Sequence, residues 1–159
     1  MRILIAGANG QLGVELSRVF SSETILPCDL PVFDLAGSDV TEQIIAARPD
    51  LIIHAGAYTD VDGAEREPDR ALAINASGTE RVAQAAREAQ ARLIYISTDY
   101  VFSGLKQSPY DEKDEPAPVN IYGLSKWQGE QAVQRSGARS LIIRTAWLFG
   151  SSGKNFVKS

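Results

Sequence analysis

Residues 2–13, Arg-Ile-Leu-Ile-Ala-Gly-Ala-Asn-Gly-Gln-Leu-Gly, decide the fold of this chain. Residues 3–6 form an unbroken apolar run, the mark of a strand covered on both faces by crossover helices. Gly7, Gly10 and Gly13 follow at once, and a helical pattern then continues through about Phe20. A strand that turns through glycines into a helix brings free backbone N–H groups and the positive end of the helix dipole to one point, where a phosphate can sit. Glycines alone would equally suit a turn without a ligand. The strand before them and the helix after them favour dinucleotide binding.

The same alternation runs along the rest of the chain. Strands are predicted at 25–28, 51–54, 93–97 and 140–144, and helices at 40–47, from 68 to about 89, and at 121–134. Pro49 closes the second helix, and Pro68 opens the third at a position where its missing N–H costs nothing. The stretch that follows Pro68 is rich in Ala and other strong helix formers. Across residues 99–120, Pro109, Pro116, Pro118 and a cluster of acids exclude regular structure, and a surface excursion of this length usually carries function. Asp111, Glu112, Asp114 and Glu115 read as its solvated face. No internal repeat or linker interrupts the pattern. The predicted fold class is α/β: a doubly wound parallel sheet, Rossmann-like, in three α/β/α layers.

Composition sets the outer bounds. The chain has 159 residues, 44% hydrophobic and 23% charged, which suits one ordinary globular domain. A net charge of −4 with no Lys/Arg-rich run argues against a nucleic-acid partner. Cys28 is the only cysteine, which excludes a disulfide or a cysteine-based metal site within one chain and suits a reducing cytoplasm. No apolar run is long enough to span a bilayer and no signal-peptide pattern opens the chain, so a cytoplasmic protein without a membrane partner is expected.

Two further constellations carry chemistry. Asp29 stands just beyond the second predicted strand, where a carboxylate can accept from the adenosine ribose and would repel a 2′-phosphate. That leans toward NADH and leaves NADPH open, since an acid beside a proline is also a common turn residue. Tyr122 and Lys126 stand four apart on one helical face, so a cation can favour the phenolate of a tyrosine that otherwise titrates near pH ~10. The plainer reading is a solvated lysine beside a half-buried tyrosine. Ser97-Thr98 changes the balance by placing a hydroxyl at the carboxyl edge of the sheet, where ligands bind. His54, the lone histidine, reads as a satisfied core residue.

The Gly-x-x-Gly-x-x-Gly spacing resembles that of the extended short-chain dehydrogenase/reductases. Within them, Ser97-Thr98-Asp99-Tyr100-Val101-Phe102, Tyr122 with Lys126, Arg144-Thr145-Ala146-Trp147 and Asn155-Phe156 resemble the dTDP-4-dehydrorhamnose reductases. Ala55-Gly56-Ala57-Tyr58-Thr59 with Val61-Asp62 is similar to the loop that family carries after its fourth strand. His54 and the Ala57-Tyr58 pair depart from it, since relatives often have Asn and Ala-His there.

The resemblance implies reduction, by NADH or NADPH, of the C4 keto group of dTDP-4-dehydro-6-deoxy-L-mannose to dTDP-L-rhamnose. It implies that Gly7, Asn9, Gly10, Gln11, Leu12, Gly13, Asp29, Ala57, Tyr58 and Thr59 hold the cofactor, with Asp34 and Leu35 against the adenine. Tyr122 would protonate the substrate oxygen, Lys126 would hold the nicotinamide ribose and lower the Tyr122 pKa, and Thr98 would orient the carbonyl. Asp99, Tyr100 and Trp147 would join Thr98 in contacting the nucleotide sugar. Glu15 matches a carboxylate that some members use at a magnesium-bridged contact of a homodimer. Family members are longer, so residues 1–159 are expected to be the NAD(P)-binding domain of a protein whose substrate-binding domain follows. Two alternatives stand beside this one: a non-catalytic module resembling the regulatory subunit of methionine adenosyltransferase, and another nucleotide-sugar reductase or epimerase.

Overall fold

The computed structural model describes residues 1–153 and 155–158. Five strands, β1 (Arg2–Ala6), β2 (Thr24–Cys28), β3 (Leu51–His54), β4 (Arg92–Thr98) and β5 (Arg139–Thr145), form one parallel sheet in the order β2-β1-β3-β4-β5. The central strands are buried on both faces, as their unbroken apolar sequences require. Ile3, Leu4, Ile5 and Ile52 are fully buried, each stabilising the fold by about 1.5–3 kcal/mol relative to exposure.

Alternate residues point to opposite layers. Leu4, Ala6, Ile52, Leu93 and Tyr95 face α2 (Val40–Ala47), α5 (Thr79–Glu88) and α6 (Ile121–Ser136). Ile3, Ile5, Leu51 and Ile53 face the other way, where Leu16 of α1 (Gln11–Val19) and Phe20 cover them. The chain leaves β1 for β2 on one side and continues to β3 on the other, so its direction across the sheet reverses between β1 and β3. Ligands of such sheets bind in the crevice at that reversal, beyond the carboxyl ends of the strands. Among the described residues no helix is long and apolar enough to cross a membrane.

The structure departs from the sequence-based expectation in three elements. One is a 3-10 turn, Asp99–Val101, at the head of the stretch expected to be irregular, where Thr98 Oγ1 accepts from Tyr100 N at 3.2 Å and Val101 is buried. Val61–Arg66 forms a helix, α3, that periodicity missed because six residues are too short to show it. Its one local signal is Asp60, whose carboxylate accepts from Gly63 N at 2.8 Å as an N-cap. The single helix expected from 68 to about 89 is instead α4 (Pro68–Leu72), a π-helical turn (Ala73–Gly78) and α5. The loop beginning at Ala55, compared above with one after a fourth strand, here follows the third.

Candidate active site

The glycine loop is built by close approach. Gly7 has φ +83°, and a Cβ there would lie 2.5 Å from Gly56 N, so the loops leaving β1 and β3 touch backbone to backbone. A Cβ on Gly13 would lie 2.1 Å from Gly7 O, which is why α1 can pack so near the turn. Gly10 is different: a Cβ would meet only Gly7 O, at 3.3 Å. Gly10 caps α1 without any side-chain hydrogen bond, so the first turn keeps donors to offer a ligand. Asp29 holds this loop, accepting from Asn9 N at 2.7 Å and from Leu30 N at 2.8 Å.

A cleft of about 730 Å³ opens above this loop at the reversal of the sheet, within the size range of cofactor sites. One end is lined by the glycine loop, including Gln11 and Leu12, together with Asp29, Asp34, Leu35, Ala57 and Thr59. The other is lined by Thr98, Asp99, Tyr100, Tyr122, Lys126 and Trp147. All but two of the residues given a catalytic, cofactor, substrate or metal role from the sequence therefore converge on one cavity. Tyr58 does not line it; its hydroxyl donates to Glu67 Oε2 at 2.9 Å and Arg70 lies over its ring. Glu15 lies elsewhere, engaged by Arg18 and by the hydroxyls of Ser151 and Ser152 at 2.5 and 3.2 Å. Among the described residues no group of three or more His, Cys, Asp or Glu side chains could hold a metal, so magnesium finds no support here.

α6 carries the candidate acid–base pair. Asn120 caps it by accepting from Gly123 N at 2.7 Å, which fixes the turn bearing Tyr122. Burial pushes the Tyr122 phenol above its ordinary pKa, and the neighbouring Thr98 hydroxyl opposes that rise. The lysine is not the opposing group. Lys126 Nζ donates to Ile96 O at 2.8 Å and sits 4.2 Å above the Tyr95 ring, so its ammonium is directed at the sheet. Burial pushes Lys126 down to about 7, against the support of Glu130. The expectation that Lys126 lowers the Tyr122 pKa is thus corrected: burial raises it, and the group that opposes the rise is Thr98.

The family model described as RmlD substrate binding domain matches residues 1–159. The chain belongs to this RmlD family. The dTDP-4-dehydrorhamnose reductase of Sinorhizobium fredii is 42% identical over 160 residues, covering 99% of this chain and 54% of the relative. The crystal structure of dTDP-4-dehydrorhamnose reductase from Bacillus anthracis in complex with NADP has a TM-score of 0.94 at 47% identity, over 99% of this chain and 58% of that one. The Bordetella bronchiseptica enzyme WbmG, in complex with NAD, has a TM-score of 0.80 at 26% identity, over 91% of this chain and 52% of its own. The chain spans about half the length of the curated relatives it matches.

In this RmlD-family chain the walls of the cleft rest on polar residues of which the sequence analysis passed over Asn75, Thr79 and Glu130. Asn75, in the π-helical turn, donates through Nδ2 to Tyr58 O at 3.0 Å and Ser125 Oγ at 2.9 Å, and accepts from Tyr58 N at 2.8 Å. It ties the loop after β3 to α6. The available signal was a lone amide among Ala71, Gly78 and Val82, on one buried helical face. Thr79 Oγ1 donates to Asn75 O at 2.7 Å, so His54, 3.0 Å away, supplies the proton through Nε2 and is neutral. Burial pushes His54 down to about 3, consistent with a core residue and no acid–base role. Buried Ser97 and Glu130 form a third set with the half-buried Arg144.

Proposed function

We propose that this chain is the NAD(P)H-binding domain of a dTDP-4-dehydrorhamnose reductase, working with a substrate-binding domain beyond residue 159. The observation that carries this reading is one cleft with a pyrophosphate cradle at one end and Thr98, Tyr122 and Lys126 at the other. The cradle fits a dinucleotide because its close backbone contacts and uncapped helix start leave N–H groups where a diphosphate is recognised. When bound, the cofactor supplies a hydride for C4 of the ketosugar. Lys126 holds the nicotinamide ribose, and Thr98 donates to the carbonyl oxygen to orient it. Tyr122 transfers its proton to that oxygen as the alcohol forms. Its raised pKa keeps the phenol protonated at neutral pH, as a donor must be. Trp147, 74% exposed beside the cleft, offers a face for the sugar ring.

Incubating the full-length protein with dTDP-4-dehydro-6-deoxy-L-mannose and either reduced cofactor, then identifying the product by NMR, tests the substrate assignment. Formation of dTDP-L-rhamnose is expected. Reduction of other nucleotide ketosugars with this one left unchanged would move the chain to a different reductase class.

Cofactor binding has its own test. Gly10 tolerates a Cβ better than Gly7 or Gly13, so Gly10→Asp should fold while placing a negative charge at the diphosphate. Fluorescence titration should show NADH affinity falling by roughly tenfold or more, the scale of one unfavourable charge near 1.4 kcal/mol. Unchanged affinity in a folded variant would remove the loop from the site.

Asp29 should bias the pocket toward NADH. Each of its carboxylate oxygens accepts one backbone N–H and retains capacity for a ribose hydroxyl. Asp29→Ala is therefore expected to narrow the ratio of NADH to NADPH affinity. A clear NADPH preference that persists in Asp29→Ala would show that another residue sets the choice.

A further inference from the structure

Glu130 is wholly buried, and three hydrogen bonds from two strands hold its carboxylate. Ser97 Oγ donates to Oε1 at 2.6 Å; Arg144 donates through Nε to Oε1 at 2.9 Å and through Nη2 to Oε2 at 2.6 Å. Ser97 immediately precedes Thr98 on β4, Arg144 lies near the end of β5 that leads to Trp147, and Glu130 stands one turn after Lys126 on α6. One carboxylate thus joins the three elements that carry the polar end of the cleft. An apolar side chain could pack α6 against the sheet without the cost of burying an ion. What it could not supply is a negative charge one turn from a buried ammonium.

We propose that Glu130 is a positioning residue of the reductase site: held by Ser97 and Arg144, it sets a fixed negative charge one turn from Lys126, whose ammonium donates to Ile96 O, and so favours the charged lysine that the cofactor needs. This rests on the reductase reading above. The ionisable groups around the pair are His54 from β3, Tyr95 from β4 and Tyr122 from α6. Asp99 and Tyr100 follow β4, Arg144 comes from β5, and Glu65 of α3 accepts from Ile121 N at the start of α6. The neutral Asn75 and Thr79 complete the surroundings from the π-helical turn and α5. Among the groups acting on Lys126, Glu130 supports the charged form and burial opposes it.

The test is NADH and NADPH affinity of the full-length protein, followed by fluorescence between about pH 6 and pH 9, around the shifted lysine. Affinity should fall as the Lys126 ammonium loses its proton. Removing the Glu130 charge makes that proton leave at lower pH, so Glu130→Gln should move the midpoint down by about one unit. Above the original midpoint this is roughly tenfold weaker binding. Because Glu130→Gln leaves Arg144 without its partner, Glu130→Gln/Arg144→Gln is made alongside it and should show the same direction of shift. A folded variant of either kind that keeps the original midpoint overturns the positioning role, as does failure of both to fold, which would make Glu130 structural only. If the unaltered full-length protein binds neither cofactor, the reductase reading falls and this one with it. Normal binding by that protein with an unshifted midpoint in the variants overturns the Glu130 proposal alone.

Discussion

Tyr122→Phe in the full-length protein is expected to lower turnover of the dTDP-ketosugar by roughly two to four orders of magnitude, the usual worth of a positioned acid. The substitution removes one hydroxyl and leaves the ring. That ring packs edge-to-face on Tyr100 at 5.4 Å, a contact Phe can keep, so the fold and cofactor affinity should change little. Thr98 would remain to orient the carbonyl, but no donor of matched geometry would replace the phenol. Steady-state kinetics and fluorescence titration on the same preparation separate the two effects. Near-normal reduction would remove Tyr122 as the proton donor, whereas no reduction by the unaltered full-length protein with normal cofactor binding would transfer the chain to a binding role.

Lys126→Met should act on the other half of the site. The thioether chain fills similar space but cannot hydrogen-bond the ribose, and a bond from a charged donor is worth about 1.5–3 kcal/mol. NADH affinity should therefore fall by roughly tenfold to a hundredfold. With Thr98 as the group that opposes burial at Tyr122, the alkaline limb of turnover should stay where it is. Stability supplies a control. Lys126 titrates near 7 in the folded chain and near 10.5 when unfolded, so between those values the unfolded state binds more protons and the native protein loses stability as pH falls. Lys126→Met lacks that term. Its thermal stability should depend less on pH across about 7 to 10, whereas a pH dependence equal to that of the unaltered protein would place Lys126 in solvent and contradict the buried site.

The sheet was legible because its strands are written as unbroken apolar runs, and residues 3–6 and 51–54 can be satisfied only by burial on both faces. The glycine loop was legible for a related reason: only glycine allows the contacts at Gly7 and Gly13. Glu130 was not. Four residues after Lys126, it reads as half of an ordinary exposed helical ion pair, and only Arg144 and Ser97, brought from distant strands, show that it is buried. Asn75 was partly legible as a lone amide on an apolar helical face, but nothing in the sequence shows that the π-helical turn joins it to Tyr58 and Ser125. Tyr58 was placed in the cofactor set by its neighbours in the loop, yet the tie of its backbone to Asn75 and of its hydroxyl to Glu67 turns the ring away.

The central claim is that hydride reaches C4 of a dTDP-linked ketosugar in this cleft while Tyr122 delivers the proton. The most direct measurement is mass spectrometry of the product made by the full-length protein from dTDP-4-dehydro-6-deoxy-L-mannose and reduced cofactor deuterated on the transferred face of the nicotinamide. The expected result is dTDP-L-rhamnose carrying one deuterium at C4. An unlabelled product, a label at another carbon, or no reduction by a protein that binds the cofactor normally would contradict it.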